Sequence, residues 1–105
     1  MDNHKNLINA VKFGDFDSVK ILIENGVDVN KNTYGNTTLL MWAVIGNKYE
    51  IAQLLLENNA DLKVKDNDGH TALFYAKYHC NIKMVELLKR FEAEAKNDGS
   101  KTLQV

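Results

Sequence analysis

Apolar and polar residues alternate along this chain with helical spacing, in short bursts separated by polar turns. The clearest burst is 38–56, TLLMWAVIGNKYEIAQLLL. Leu40, Ala43 and Val44 share one helical face, and Ile51, Leu54 and Leu55 share another. Gly46-Asn47 between them breaks helices and tolerates positive φ. Two helices joined by so short a turn lie antiparallel and pack together. Helices of about two turns are not stable alone in water, so this hairpin needs neighbours.

The chain supplies the neighbours as copies of the hairpin. Ala10, Ala43 and Ala76 are 33 residues apart. Ile21-Leu22, Leu54-Leu55 and Leu87-Leu88 keep the same offset, as do Val27-Asp28 with Ala60-Asp61 and Thr38 with Thr71. A fixed period of this length is the mark of a repeat architecture.

The residues at the repeated positions resemble the ankyrin repeat. Thr71-Ala72-Leu73-Phe74-Tyr75-Ala76 is similar to the family's T-P-L-H-x-A opening, and Thr38-Leu39-Leu40-Met41-Trp42-Ala43 is a looser version. Leu54 to Asp61 and Ile21 to Asn30 resemble the closing L-L-L-x-x-G-A-D. Leu39 and Ala72 replace the family's proline, and Met41 and Phe74 replace its histidine. Local stability at those helix starts is therefore expected to rest more on apolar packing. The resemblance implies an all-α fold: an α-solenoid of three stacked helix-turn-helix repeats with projecting hairpin-like loops. One domain covers 1–105, with an N-terminal capping repeat at 1–30, a middle repeat at 31–63, a C-terminal capping repeat at 64–97 and a tail at 98–105.

In the first copy, about 5–13 forms a helix with Leu7, Ala10 and Val11 inward. Asp15 caps the second helix, Val19, Leu22 and Ile23 form its buried stripe, and Asn25-Gly26 ends it. In the middle copy, Thr38 is the N-cap and Asn47 with Glu50 has capping-box spacing. Asn36 falls where Gly69 sits, so that turn should survive with an altered shape, and Asn59 stands for glycine at a helix end. The last helix carries strong helix formers from Lys89 to Lys96 and is expected to stop at Asn97-Asp98-Gly99.

Composition narrows the function. Thirteen basic residues against fourteen acidic ones give a formal charge of −1, without the basic surplus of a nucleic-acid binder. No apolar run approaches the roughly 20 residues that span a bilayer. The polar start MDNHKNLINA carries no apolar signal core, and Cys80 is the sole cysteine. A reducing, cytoplasmic setting follows.

Candidate chemistry is sparse. Asp66-Asn67-Asp68-Gly69 is similar to part of a calcium-binding loop, but Val64 and Tyr75 occupy the places where that loop needs acids. His79, Cys80 and His70 lack the spaced pairs of a metal site, and Cys80 has no readable orienting group or oxyanion hole. No catalytic, cofactor or metal residue is assigned, and the chain is not read as an enzyme.

The aromatic residues divide in two. Phe16, Phe74 and Phe91 fall at core or capping positions. Phe13, Tyr34, Trp42, Ile45, Tyr78 and His79 fall at the loop tip or on the first helix of the repeat. In ankyrin proteins these places line a concave, partner-binding surface. The resemblance thus implies a monomeric module that binds another protein through an aromatic, nearly uncharged patch made of these six residues, with Lys65, Asp66 and Asp68 at its rim. An adaptor or scaffold is the first role. An inhibitory or immunity-type subunit that masks one enzyme is the alternative. Nucleic acid, membrane and small-molecule substrate are not expected partners.

Overall fold

The computed structural model describes residues 3–100, with side chains as far as Ala95. Its helices are α1 (Asn3–Phe13), α2 (Phe16–Glu24), α3 (Leu39–Ile45), α4 (Tyr49–Glu57), α5 (Ala72–Tyr78) and α6 (Ile82–Ser100). They form three antiparallel pairs, α1 with α2, α3 with α4 and α5 with α6. The first members pack side by side as α1, α3, α5, and the second members as α2, α4, α6. No strand occurs among the described residues. This is the stacked-repeat, all-α architecture that the 33-residue period implies.

The hairpin turns show why the period survives changes of residue type. Gly14, Asn47 and Cys80 are 33 residues apart and all left-handed, with φ of 77°, 57° and 53°. The next residue closes each turn with the same backbone bond: Asp15 to Ala10 (2.9 Å), Lys48 to Ala43 (2.8 Å) and Asn81 to Ala76 (3.0 Å). The carbonyl it reaches belongs each time to the repeated alanine. A small residue there lets the second helix turn back closely over the first.

Caps set the helix starts. Asp15 accepts from the Ser18 backbone (3.2 Å) and hydroxyl (2.7 Å). Thr38 accepts from Met41 N–H at 3.0 Å, and Thr71 does the same for Phe74 at 3.2 Å. The Thr38 N–H faces the buried Met41 sulfur at 3.5 Å, so a thioether stands where the family places an imidazole. The Asn47–Glu50 capping box does not form. Lys48 is the N-cap of α4, without a side-chain bond. Asn47 is spent on the left-handed turn, and its amide oxygen accepts instead from the Asn81 side chain of the next repeat at 2.7 Å. Asn81 also caps α6, accepting from Met84 N–H at 3.1 Å.

The core runs through all three pairs. Leu39, Leu40, Met41, Ala43 and Val44 are all buried, because α3 has a helix on each side. Leu7, Ala10 and Val11 face inward as expected, as does Val19, while Leu22, Ile23 and Leu54 are half-buried. Three departures appear. Phe16 and Phe74 are exposed rather than core residues, at 37% and 39%, and only Phe91 packs partly against the core. The helix α6 continues through Asn97-Asp98-Gly99 to Ser100, past the expected stop. The remainder of the tail, 101–105, lies outside the described residues.

The loops are tied edge to edge. Asn67 N–H donates to the Gly35 carbonyl (2.9 Å), and the Asn36 side chain donates to the Lys65 carbonyl (2.8 Å). Asn36 is left-handed at φ 59°, as Gly69 is at 80°. Gly35 is left-handed too, at 64°, so Gly35-Asn36 forms a tight left-handed turn closed by Thr37 N–H to the Tyr34 carbonyl at 3.1 Å. The first of these two loops thus has its own shape.

Candidate functional site

Two of the first helices, α3 and α5, each send a ring back to the loop before them. In the middle repeat, Trp42 Nε1–H donates to Thr33 Oγ1 at 2.8 Å. One period later, the Tyr75 hydroxyl donates to Asp66 Oδ2. The second tie is the more elaborate. Asp66 Oδ1 also accepts from the backbone N–H of Asp68 and of His70, each at 3.0 Å. The Tyr75 hydrogen bond, then the His70 N–H, hold the Asp66 carboxyl below the usual carboxylate range. The same bond to Asp66 pushes the Tyr75 phenol up to about 12. One nitrogen or oxygen each from Asp66, Asp68 and His70 lie within 4.8 Å of one another. The Asp66 oxygens are already engaged by Tyr75, His70 and Asp68, so the cluster is a lock on the loop.

This lock presents a ladder of rings. His70 lies flat on Phe74, with centroids 3.7 Å apart and planes 7° apart. Phe74 continues to Tyr78 at 6.0 Å and 27°, and His79 meets the Tyr78 edge at 5.4 Å. Ile45, from the end of α3, closes the other side. Ile45, Asp68, His70, Phe74, Tyr78 and His79 thereby line one groove of about 350 Å³, with Tyr75 beneath.

Ile45, Tyr78 and His79, singled out in the sequence, therefore share this groove. Tyr78 is 72% exposed and Ile45 39%. Tyr34 projects from its loop tip at 86% exposed. Trp42 is half-buried, held by Thr33 and covered by Lys12, whose Nζ sits 4.3 Å from the ring centroid. Neither Tyr34 nor Trp42 lines the groove of Ile45, Tyr78 and His79, and Phe13 does not either. It lines a separate groove with Asn6, Asn9, Asp15, Ser18 and Ile21 on the first helix pair. Nor is the patch nearly uncharged, because Lys12 covers Trp42 and Asp68 enters the groove wall.

His70 and Phe74 are the site residues the sequence reading left out. The signal was present for Phe74 alone. Phe74 and Tyr78 are spaced by four, which puts them on one face of α5, whereas His70 precedes the extended Thr71 cap and no helical spacing places it. The resemblance puts Phe74 at the family's histidine position, among core or capping residues.

A left-handed turn every 33 residues, helix pairs in two layers and loops laced edge to edge define a helical repeat solenoid that presents a surface. Residues 7–102 match the family described as ankyrin repeats in three copies, and the chain belongs to that family. It is 37% identical over 76 residues to alpha-latrotoxin-Lg1a of Latrodectus geometricus, covering 70% of this chain and 6% of the toxin. It is 40% identical over 63 residues to the putative ankyrin repeat protein L92 of Acanthamoeba polyphaga mimivirus, covering 60% of this chain and 15% of that one. It is 32% identical over 91 residues to the ankyrin repeat and KH domain-containing protein mask-1 of Caenorhabditis elegans, covering 86% of this chain and 4% of that protein. The chain thus spans a small part of each of these relatives. Ankyrin repeats are in general protein–protein interaction modules and not enzymes. No helix among the described residues is long and apolar enough to cross a membrane.

Proposed function

We propose that this chain binds a partner protein through the concave side formed by the first helices of its repeats and the loop tips, as an adaptor or scaffold. The reading takes it as a monomeric, cytoplasmic, non-enzymatic module. One observation carries it. The fold spends hydrogen bonds on stiffening the loops, through Trp42–Thr33 and Tyr75–Asp66, and then leaves the adjoining rings Tyr34 and Tyr78 in water. Exposed tyrosines on a rigid scaffold are the usual anchors of an interface, since they bury large area for little lost freedom.

The test is capture of a partner, followed by variants. Tyr34→Ala and Tyr78→Ala should each weaken binding while the helical spectrum and melting point stay as in wild type. Trp42→Ala should weaken binding and also destabilise, because its ring is half-buried and tied to Thr33. If both tyrosine variants bind like wild type while Lys20→Glu and Glu86→Lys on α2 and α6 abolish binding, the partner sits on the opposite side.

A further inference from the structure

We infer that the groove between Asp68 and Tyr78 is a seat for one arginine side chain of the partner protein. The inference rests on the concave-side reading above and names what that side takes. It starts from an asymmetry between repeats. Lys12 and Ile45 are equivalent by the period, and so are Trp42 and Tyr75. Between the first two repeats the chain supplies its own cation to the half-buried ring, with Lys12 Nζ 4.3 Å from the Trp42 centroid. Between the next two, Ile45 takes the place of Lys12, and no lysine or arginine lines the groove.

The exposed rings and the carboxylates of the groove favour a cation, and its two imidazoles, His70 and His79, are the only basic groups that line it. Aromatic faces carry negative charge in their quadrupole, and Tyr78 is 72% exposed. The Asp68 carboxylate has no hydrogen bond or ion pair among the described residues, only its backbone N–H being engaged. The Asp66 carboxylate lies beside it and adds a second negative charge. An anion would be repelled. An aliphatic side chain would cover Asp68 without pairing it, and burying an unpaired charge is costly. A groove of about 350 Å³ sits at the low end of the roughly 300–1,000 Å³ typical of ligand clefts, which suits one long side chain better than a helix. Arginine fits better than lysine. Its planar guanidinium stacks on a ring while its fork pairs a carboxylate, and it sheds its hydration more readily.

The experiment uses the full chain, isotope-labelled for amide NMR, and a capped pentapeptide with one central arginine between glycines. The expected result is weak, saturable binding with shifts at Asp68, His70, Phe74, Tyr78 and His79. Replacing the arginine by citrulline, its uncharged isostere, should abolish the shifts, and lysine should bind more weakly. Asp68→Asn and Tyr78→Ala should each lower the affinity about two- to fivefold, the size of an exposed ion pair or cation–π contact. Both sites are exposed, so neither change should disturb the fold. The inference is overturned if citrulline shifts the same residues equally, if Asp68→Asn leaves the arginine affinity unchanged, or if the shifts map elsewhere. A captured partner separates this from the underlying reading. Binding lost in Tyr78→Ala but untouched by Asp68→Asn keeps the concave side and discards the arginine. Binding indifferent to Tyr34→Ala and Tyr78→Ala discards both.

Discussion

Leu55→Ala tests the stacking most directly. Leu55 has no solvent exposure, and it lies on α4, which packs against α3 within its pair and against α2 and α6 on either side. Truncation removes buried carbons and leaves a cavity that three neighbouring helices cannot easily collapse. Such changes cost about 2–5 kcal/mol. The upper half of that range applies here, because the site is enclosed on every side. A chain of this size has a total stability of roughly 5–15 kcal/mol, so the loss is a large share of it. In a repeat stack the damage also spreads. Each terminal pair is held by its interface with the middle one, so weakening α4 weakens the anchorage of α2 and α6. Each kcal/mol is worth about 4–8 °C of melting temperature in a domain near 100 residues, so the midpoint should fall by well over 10 °C. Circular dichroism on heating, repeated in urea, measures this. Ile21→Ala is the control, because Ile21 is 56% exposed and its truncation should change stability by less than about 0.5 kcal/mol. A midpoint for Leu55→Ala indistinguishable from wild type would refute the register assigned to α4.

Two further outcomes follow from the turns and the loop lock. Cys80→Gly should stabilise by about 0.5–1 kcal/mol. The left-handed φ of 53° costs a side chain about 1–2 kcal/mol, glycine's extra freedom when unfolded returns part of that, and the exposed thiol has no packing to lose. A lower melting temperature would show that the Cys80 side chain holds the turn. The Tyr75 phenol, raised from 10.0 to about 12, should emerge near pH 12 in the difference between ultraviolet titrations of wild type and Tyr75→Phe. Its folded value is raised, so its contribution to stability is complete below pH 10 and is lost as the pH climbs from 10 to 12. Asp66 works in the opposite sense. Its folded value is lowered, so its contribution is present above the ordinary 3.8 and is lost as the pH falls through the depressed value. A phenol released near pH 10 in that difference would mean that the Tyr75–Asp66 bond is absent in solution.

Most of the fold was legible because the period carries conformation from one residue type to another. Nothing about Cys80 alone suggests a left-handed backbone. Its place 66 residues after Gly14 and 33 after Asn47 does, and all three share the conformation. Asn36 and Asn59 follow the same logic, at φ of 59° and 71°. What the period could not carry is the set of neighbours that each copy meets. Met41 and Phe74 are equivalent, yet Met41 is fully buried and Phe74 is 39% exposed against His70. The difference lies in the stack, since α3 has a helix pair on both sides and α5 has one only on the side of α3. Phe13 and His79 are equivalent too, but His79 shares its groove with Asp68 and His70 of the loop before α5, whereas Phe13 lines a groove made by α1, α2 and Asp15 alone. Asn47 had the spacing of a cap and lost that role to a bond from Asn81, a contact 34 residues away that no local rule anticipates. The candidate site sits where equivalence breaks down. A repeated position is free to change chemistry only where a neighbour no longer dictates its burial, and Phe74, His70 and Tyr78 are such positions. In a repeat protein the period locates the surface, and the departures from equivalence at the ends of the stack locate what that surface can recognise.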